Sequence, residues 1–130
     1  MDAHETGRNQ IEVLIVEDSP TQAEKLKFIL EERGFHVSAV SNGREALACL
    51  AARTPDVVIT DIMMPEMDGY ETMQVIRRKS ALRRLPIIAL TAKAMKGDRE
   101  KCLEAGASEY LAKPVNTEQL LSALRMRLHR

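Results

Sequence analysis

Four short apolar runs punctuate the chain: Ile11–Val16, Val37–Val40, Val57–Thr60 and Ile87–Leu90. Each is rich in Val or Ile and too short for a helix, so each reads as a buried strand. A fifth, around Glu109–Leu111, is weaker by itself and gains support from its place in the series. Between these runs apolar residues recur at helical spacing: Leu26 and Leu30; Ala46, Leu47 and Leu50; Met73 and Ile76; Leu120, Leu124 and Leu128. Their starts are marked by a capping residue followed three positions later by Glu or Gln, as in Ser19–Gln22, Asn42–Glu45, Asp68–Glu71 and Asn116–Gln119. Pro20 suits the first position after Ser19, with Gln22 completing the capping box and Gly34 closing that helix. A further helix is expected over roughly Asp98–Ala105, ended by Gly106.

Strands alternating with helices predict an α/β domain whose parallel sheet is covered on both faces. Residues 11–130 are expected to form that one domain, and the polar stretch 1–10 a tail. In such sheets ligands sit at the carboxyl ends of the strands. The residues that follow the apolar runs are therefore the ones to inspect: Glu17 and Asp18, Asp61, Thr91 and, soon after the fifth run, Lys113. Three carboxylates, a hydroxyl and an ammonium converge on one edge. Crowded carboxylates need protons, a basic partner or a metal. An all-oxygen set with room for water suits Mg²⁺ better than zinc or copper. Nucleophile, metal and cation together are the parts of phosphoryl transfer.

Composition narrows the field. Nineteen basic and nineteen acidic residues balance, and aromatics are 3% with no Trp, so nucleic acid and anionic membranes have no electrostatic or stacking attraction. No apolar run approaches the roughly 18 residues of a membrane span, and residues 1–10 lack the apolar middle of a secretory signal. Cys49 and Cys102 are expected to be buried thiols of a cytoplasmic protein, with no Cys or His at zinc-ligand spacing from either; a disulfide stays open. The seven methionines read as core filler, and none of His4, His36 and His129 sits beside an acidic residue on a helix face.

Taken singly, each candidate has a plainer reading. An Asp ending a strand is most often a cap or turn residue, Glu17 and Asp18 can complement a helix dipole, Lys113 can be solvated surface and Tyr110 a half-buried aromatic. Together and in order they resemble the receiver family of two-component response regulators over residues 11–128. The resemblance rests on VEDSPTQ with Glu17–Asp18, VVITDIMMPEMDG with Asp61, PIIALTAKA with Thr91, and ASEYLAKPV with Tyr110, Lys113 and Pro114. Leu90 to Val115 looks especially like receivers fused to hybrid histidine kinases.

That resemblance implies a flavodoxin-like, doubly wound five-stranded parallel sheet of order 2-1-3-4-5 with five helices. It implies Asp61 as phosphoacceptor, Asp18 and Asp61 as direct Mg²⁺ ligands, the Met63 carbonyl as a third, and Glu17 holding the ion through water. Glu17 stands where many members carry Asp, and its extra methylene bears on that contact. Thr91 and Lys113 would bind phosphoryl oxygens, with Lys113–Pro114 a cis peptide. Thr91 and Tyr110 would form the switch that alters the surface of helix four, strand five and helix five, through which a homodimer is allowed and not required. The implied partner is a sensor histidine kinase or a histidine phosphotransfer domain. The domain would assist its own phosphorylation without being an enzyme in its own right, either standing alone or belonging to a larger kinase. With Met63 two residues after the acceptor and Lys93 two after Thr91, self-dephosphorylation is expected to be slow. A haloacid-dehalogenase-like phosphatase would need a second Asp where Met63 stands, and a non-phosphorylated interaction module would be expected to lack one of these residues.

Overall fold

In the computed structural model, which describes residues 10–62, 69–91 and 97–128, strands and helices alternate as the apolar pattern predicts. The strands are β1 (Glu12–Val16), β2 (His36–Val40), β3 (Val57–Asp61), β4 (Ile87–Thr91) and β5 (Glu109–Ala112). The helices are α1 (Pro20–Glu31), α2 (Gly43–Ala52), α3 (Gly69–Arg78), α4 (Asp98–Ala105) and α5 (Thr117–Arg127), with a short 3₁₀ turn at Ser80–Leu82 that no sequence signal announced. All strand pairs are parallel, in the order β2-β1-β3-β4-β5. The expected doubly wound architecture is present.

Side chains alternate across the strands, and that alternation builds two cores. Leu14 and Val16, Val58, and Ile87 and Ala89 face one layer with Ala46, Leu50, Met73, Ile76 and Cys102 from α2, α3 and α4. Val13 and Ile15, Val57 and Ile59, and Ile88 and Leu90 face the other with Leu26, Leu30, Leu120 and Leu124 from α1 and α5. Strands buried on both faces explain why the runs read as continuously apolar. β5 is an edge strand, no residue of which is fully buried, which is why its signal is faint.

β3 and β4 each run one residue past the expected end, so Asp61 and Thr91 are the terminal residues of their strands. The ladder continues just beyond: the amides of Glu17, Ile62 and Lys113 donate to the carbonyls of Val40 (3.0 Å), Leu90 (3.0 Å) and Thr91 (2.7 Å). These bonds fix where each loop leaves the sheet.

The caps hold with one correction. Ser19, Asn42 and Asn116 accept from the amides of Gln22, Glu45 and Gln119. Gln22, however, does not complete a capping box. The Ser19 amide instead donates to Glu17 Oε2 at 3.1 Å, because that carboxylate lies closer to the turn. α1 ends at Glu31, and Gly34, at φ 92°, makes the reversal that follows. Met73 is core as expected, whereas Met126 is 67% exposed on α5, so methionine is not uniformly core filler. Asp68, expected to cap α3, lies outside the described residues.

Candidate phosphoacceptor site

Glu17 and Asp18 follow β1 and Asp61 closes β3, and adjacency of those two strands brings their carboxylates together. One oxygen from each of the three lies within 4.8 Å of the others. Glu17 and Asp61 are buried, each only 5% exposed, and Asp18 is exposed, so the cluster opens to water on the side of Asp18. Hard oxygen donors with no Cys or His among them, plus an open side for retained waters, fit Mg²⁺. Met63, whose carbonyl was expected as a ligand, lies outside the described residues, as does Lys93.

Lys113 reaches the cluster from the far side of the sheet's edge. Its peptide bond to Pro114 is cis, and its Nζ donates to Glu17 Oε1 at 2.8 Å and to Asp61 Oδ2 at 3.1 Å. Its side chain is only 16% exposed, so these contacts are desolvated enough to outweigh an ordinary surface pair. Burial pulls the ammonium's pKa down, but hydrogen bonds to Glu17 and Asp61 and their charges together lift it above its ordinary value. The Glu17 carboxyl is held above the usual range, first by burial and also by the nearby Asp61 charge, against the hydrogen bonds from Lys113 and the Ser19 amide. Those two bonds use both oxygens of Glu17, a span its longer side chain makes possible.

One contact was not foreseen. Gln22, read from sequence as a cap residue, accepts from Lys113 Nζ at 2.7 Å through its Oε1. It was missed because nothing in the sequence tells that Glu17 will take the cap amide. Gly69 was missed as well. A Cβ there would meet the Ile62 Cα at 2.4 Å and the Asp61 carbonyl at 2.7 Å, so α3 can start against the end of β3 only with glycine in that place.

Thr91 is 1% exposed at the end of β4, beside Asp61 in the sheet order. It has the strand parity of Ile87 and Ala89, on the α2–α4 face, and Ala89 pairs with Tyr110 on β5. Thr91 and Tyr110 thus share one face of the sheet. The Tyr110 ring packs on the core beneath, and its hydroxyl is buried with no hydrogen-bond partner among the described residues. Its phenol is pushed up by burial, with Asp98 and Cys102 adding to the effect. The half-buried Tyr110 side chain is turned inward here, against the core cluster that holds Cys102 and Ala105 of α4.

A groove of about 490 Å³ opens beside Lys113, bounded by Gln22, Leu26 and Ile29 of α1 and by Pro114 and Val115. Among the described residues no helix is long and apolar enough to cross a membrane.

Residues 13–125 match the family described as the response regulator receiver domain. The receiver domain of a signal transduction histidine kinase from Syntrophus aciditrophicus is 45% identical and superposes with a TM-score of 0.83, covering 90% of this chain and 89% of that one. The receiver domain of sensor histidine kinase PA1611 from Pseudomonas aeruginosa is 37% identical, with a TM-score of 0.86 over 93% of this chain and 99% of its own, and carries a magnesium ion in its active-site cleft. The DNA-binding response regulator MtrA of Mycolicibacterium smegmatis is 36% identical over 91% of this chain, which spans 50% of MtrA's length.

Proposed function

This chain belongs to the response regulator receiver domain family, and on that premise we propose that Asp61 accepts a phosphoryl group from a phosphohistidine of a kinase or histidine phosphotransfer domain. One observation carries the reading: three carboxylates have oxygens within 4.8 Å of one another at the carboxyl edge of the sheet, and two of them, Glu17 and Asp61, pair with the Lys113 ammonium. An Asp61 oxygen attacks phosphorus. The bond from phosphorus to the donor imidazole nitrogen breaks, and that nitrogen keeps the electron pair and takes a proton from water.

Lys113 donates to a phosphoryl oxygen, giving up its hydrogen bond to Asp61, and Thr91 donates its hydroxyl to another. Asp18 and Asp61 would hold Mg²⁺ directly, with the Met63 carbonyl as a third ligand and Glu17 acting through water. Bound there, the ion offsets the negative charge of the carboxylates and of the phosphoryl oxygens. The domain, residues 11–130, is a switch that assists its own phosphorylation and loses the group slowly, Met63 offering water no good hydrogen-bond partner. Thr91 and Tyr110, on one face of the sheet, relay the new charge to the surface of α4, β5 and α5 as a shift between two packings. Its place is the cytoplasm, in contact with a histidine kinase or phosphotransfer protein and without direct contact to nucleic acid or insertion into a membrane. A homodimer through the α4–β5–α5 surface remains allowed.

The test is labelling by acetyl phosphate with Mg²⁺, read by intact mass. The wild type should gain one phosphoryl group and Asp61→Asn none, and chelating the metal should abolish the gain. A singly phosphorylated Asp61→Asn protein would sink the assignment.

A further inference from the structure

We propose that Gln22 is a positioning residue that holds Lys113 in place for phosphorylation, an inference that rests on Asp61 being the acceptor. A lysine ammonium carries three N–H donors, and this one meets three acceptors: Gln22 Oε1 at 2.7 Å, Glu17 Oε1 at 2.8 Å and Asp61 Oδ2 at 3.1 Å. Two are carboxylates of the acidic cluster. The third is a neutral amide from the first turn of α1, and it makes the shortest contact.

Neutrality matters at that position. A lysine on a flexible four-carbon stem, offered carboxylates alone, settles wherever their charge draws it. A further carboxylate would hold it as firmly but would add a fourth negative charge where an anionic phosphoryl group must enter. The amide completes the ammonium's shell without that charge. When phosphorus bonds to an Asp61 oxygen and acetate or imidazole leaves with its electron pair, Lys113 must pass one N–H from Asp61 to a phosphoryl oxygen. Gln22 and Glu17 keep the other two, so the ammonium pivots in place.

A second observation separates this role from a merely structural one. The cap of α1 is complete without the Gln22 side chain, because Ser19 Oγ accepts from the Gln22 backbone amide at 3.3 Å and Glu17 Oε2 accepts from the Ser19 amide at 3.1 Å. The side chain is exposed, at the wall of the groove beside Lys113, and belongs to neither core cluster. Replacing it should leave the fold alone and reach only Lys113.

The experiment compares wild type, Gln22→Met and Gln22→Glu. Methionine matches the length and lacks a good acceptor, whereas glutamate keeps one. In metal-free protein at low temperature, the ¹⁵N signal of the Lys113 ammonium should be visible in wild type and Gln22→Glu and lost to water exchange in Gln22→Met. Labelling by acetyl phosphate should slow about fivefold or more in Gln22→Met, as expected when a reacting group is loosened. The thermal midpoint and the half-saturating Mg²⁺ concentration should not move. A Gln22→Met labelling rate within twofold of wild type, or an ammonium signal that survives in it, overturns the proposal. A wild type that takes no label overturns the reading of Asp61 instead, and the ammonium signal, which needs no phosphodonor, still decides whether Gln22 holds Lys113.

Discussion

Among the described residues, Tyr110 has a buried side-chain polar atom, its hydroxyl, without a hydrogen-bond partner, while its ring gains apolar cover. A buried, unsatisfied polar group costs about 1–3 kcal/mol. Tyr110→Phe removes the hydroxyl and keeps the ring, so it should raise unfolding stability by about 1 kcal/mol, seen as a higher urea midpoint at unchanged slope. An unchanged or lowered midpoint would show that the hydroxyl finds water or another partner in solution.

Among the elements, α3 does more than cover the sheet. From its last turn Arg77 donates through Nε to the Gly106 carbonyl at 2.9 Å, and through Nη1 to the carbonyls of Leu82 at 2.9 Å and Arg83 at 3.0 Å. The end of α4 and the 3₁₀ turn are thereby tied to one guanidinium. Gly106 cannot be replaced cheaply, since its φ is 125° and a Cβ would lie 2.6 Å from Arg77 Cγ. Arg77→Ala should cost about 2–4 kcal/mol, the sum of lost charged hydrogen bonds and stranded carbonyls. Arg77→Lys should recover only part of it, because an ammonium cannot reproduce the planar fork. Urea unfolding of the two variants checks both. Equal stability of Arg77→Lys and wild type would reduce Arg77 to a point charge.

The whole molecule couples folding to its site through β1 and β3, whose ends carry the three carboxylates. Charge crowded there works against the folded state, and the Lys113 ammonium and the Ser19 amide offset part of it. A cation that binds the folded chain stabilises it by mass action, about 1.4 kcal/mol at ten times its dissociation constant. Mg²⁺ at that excess should raise the thermal midpoint by about 5 °C. Asp18→Ala, which removes the exposed carboxylate of the cluster, should abolish most of the rise. An equal rise in that variant would mean that the ion acts elsewhere.

Much of this was written along the chain. Apolar runs of β length and Ser19, Asn42 and Asn116 as caps determined the fold class, and polar residues placed at or just after the strand ends brought Glu17, Asp18, Asp61, Thr91 and Lys113 to one edge. Periodicity is local, and a parallel sheet converts it to position with little freedom, which is why these were legible. Three features were decided only in three dimensions. Glu17 took the Ser19 amide from Gln22, freeing Gln22 for a lysine 91 residues away. Gly69 proved to be the point where α3 meets β3, and Tyr110 turned inward over Cys102. Each is a competition for one acceptor, one gap or one patch of apolar cover. Such competitions are settled by which groups arrive together, and spacing along a chain does not record that.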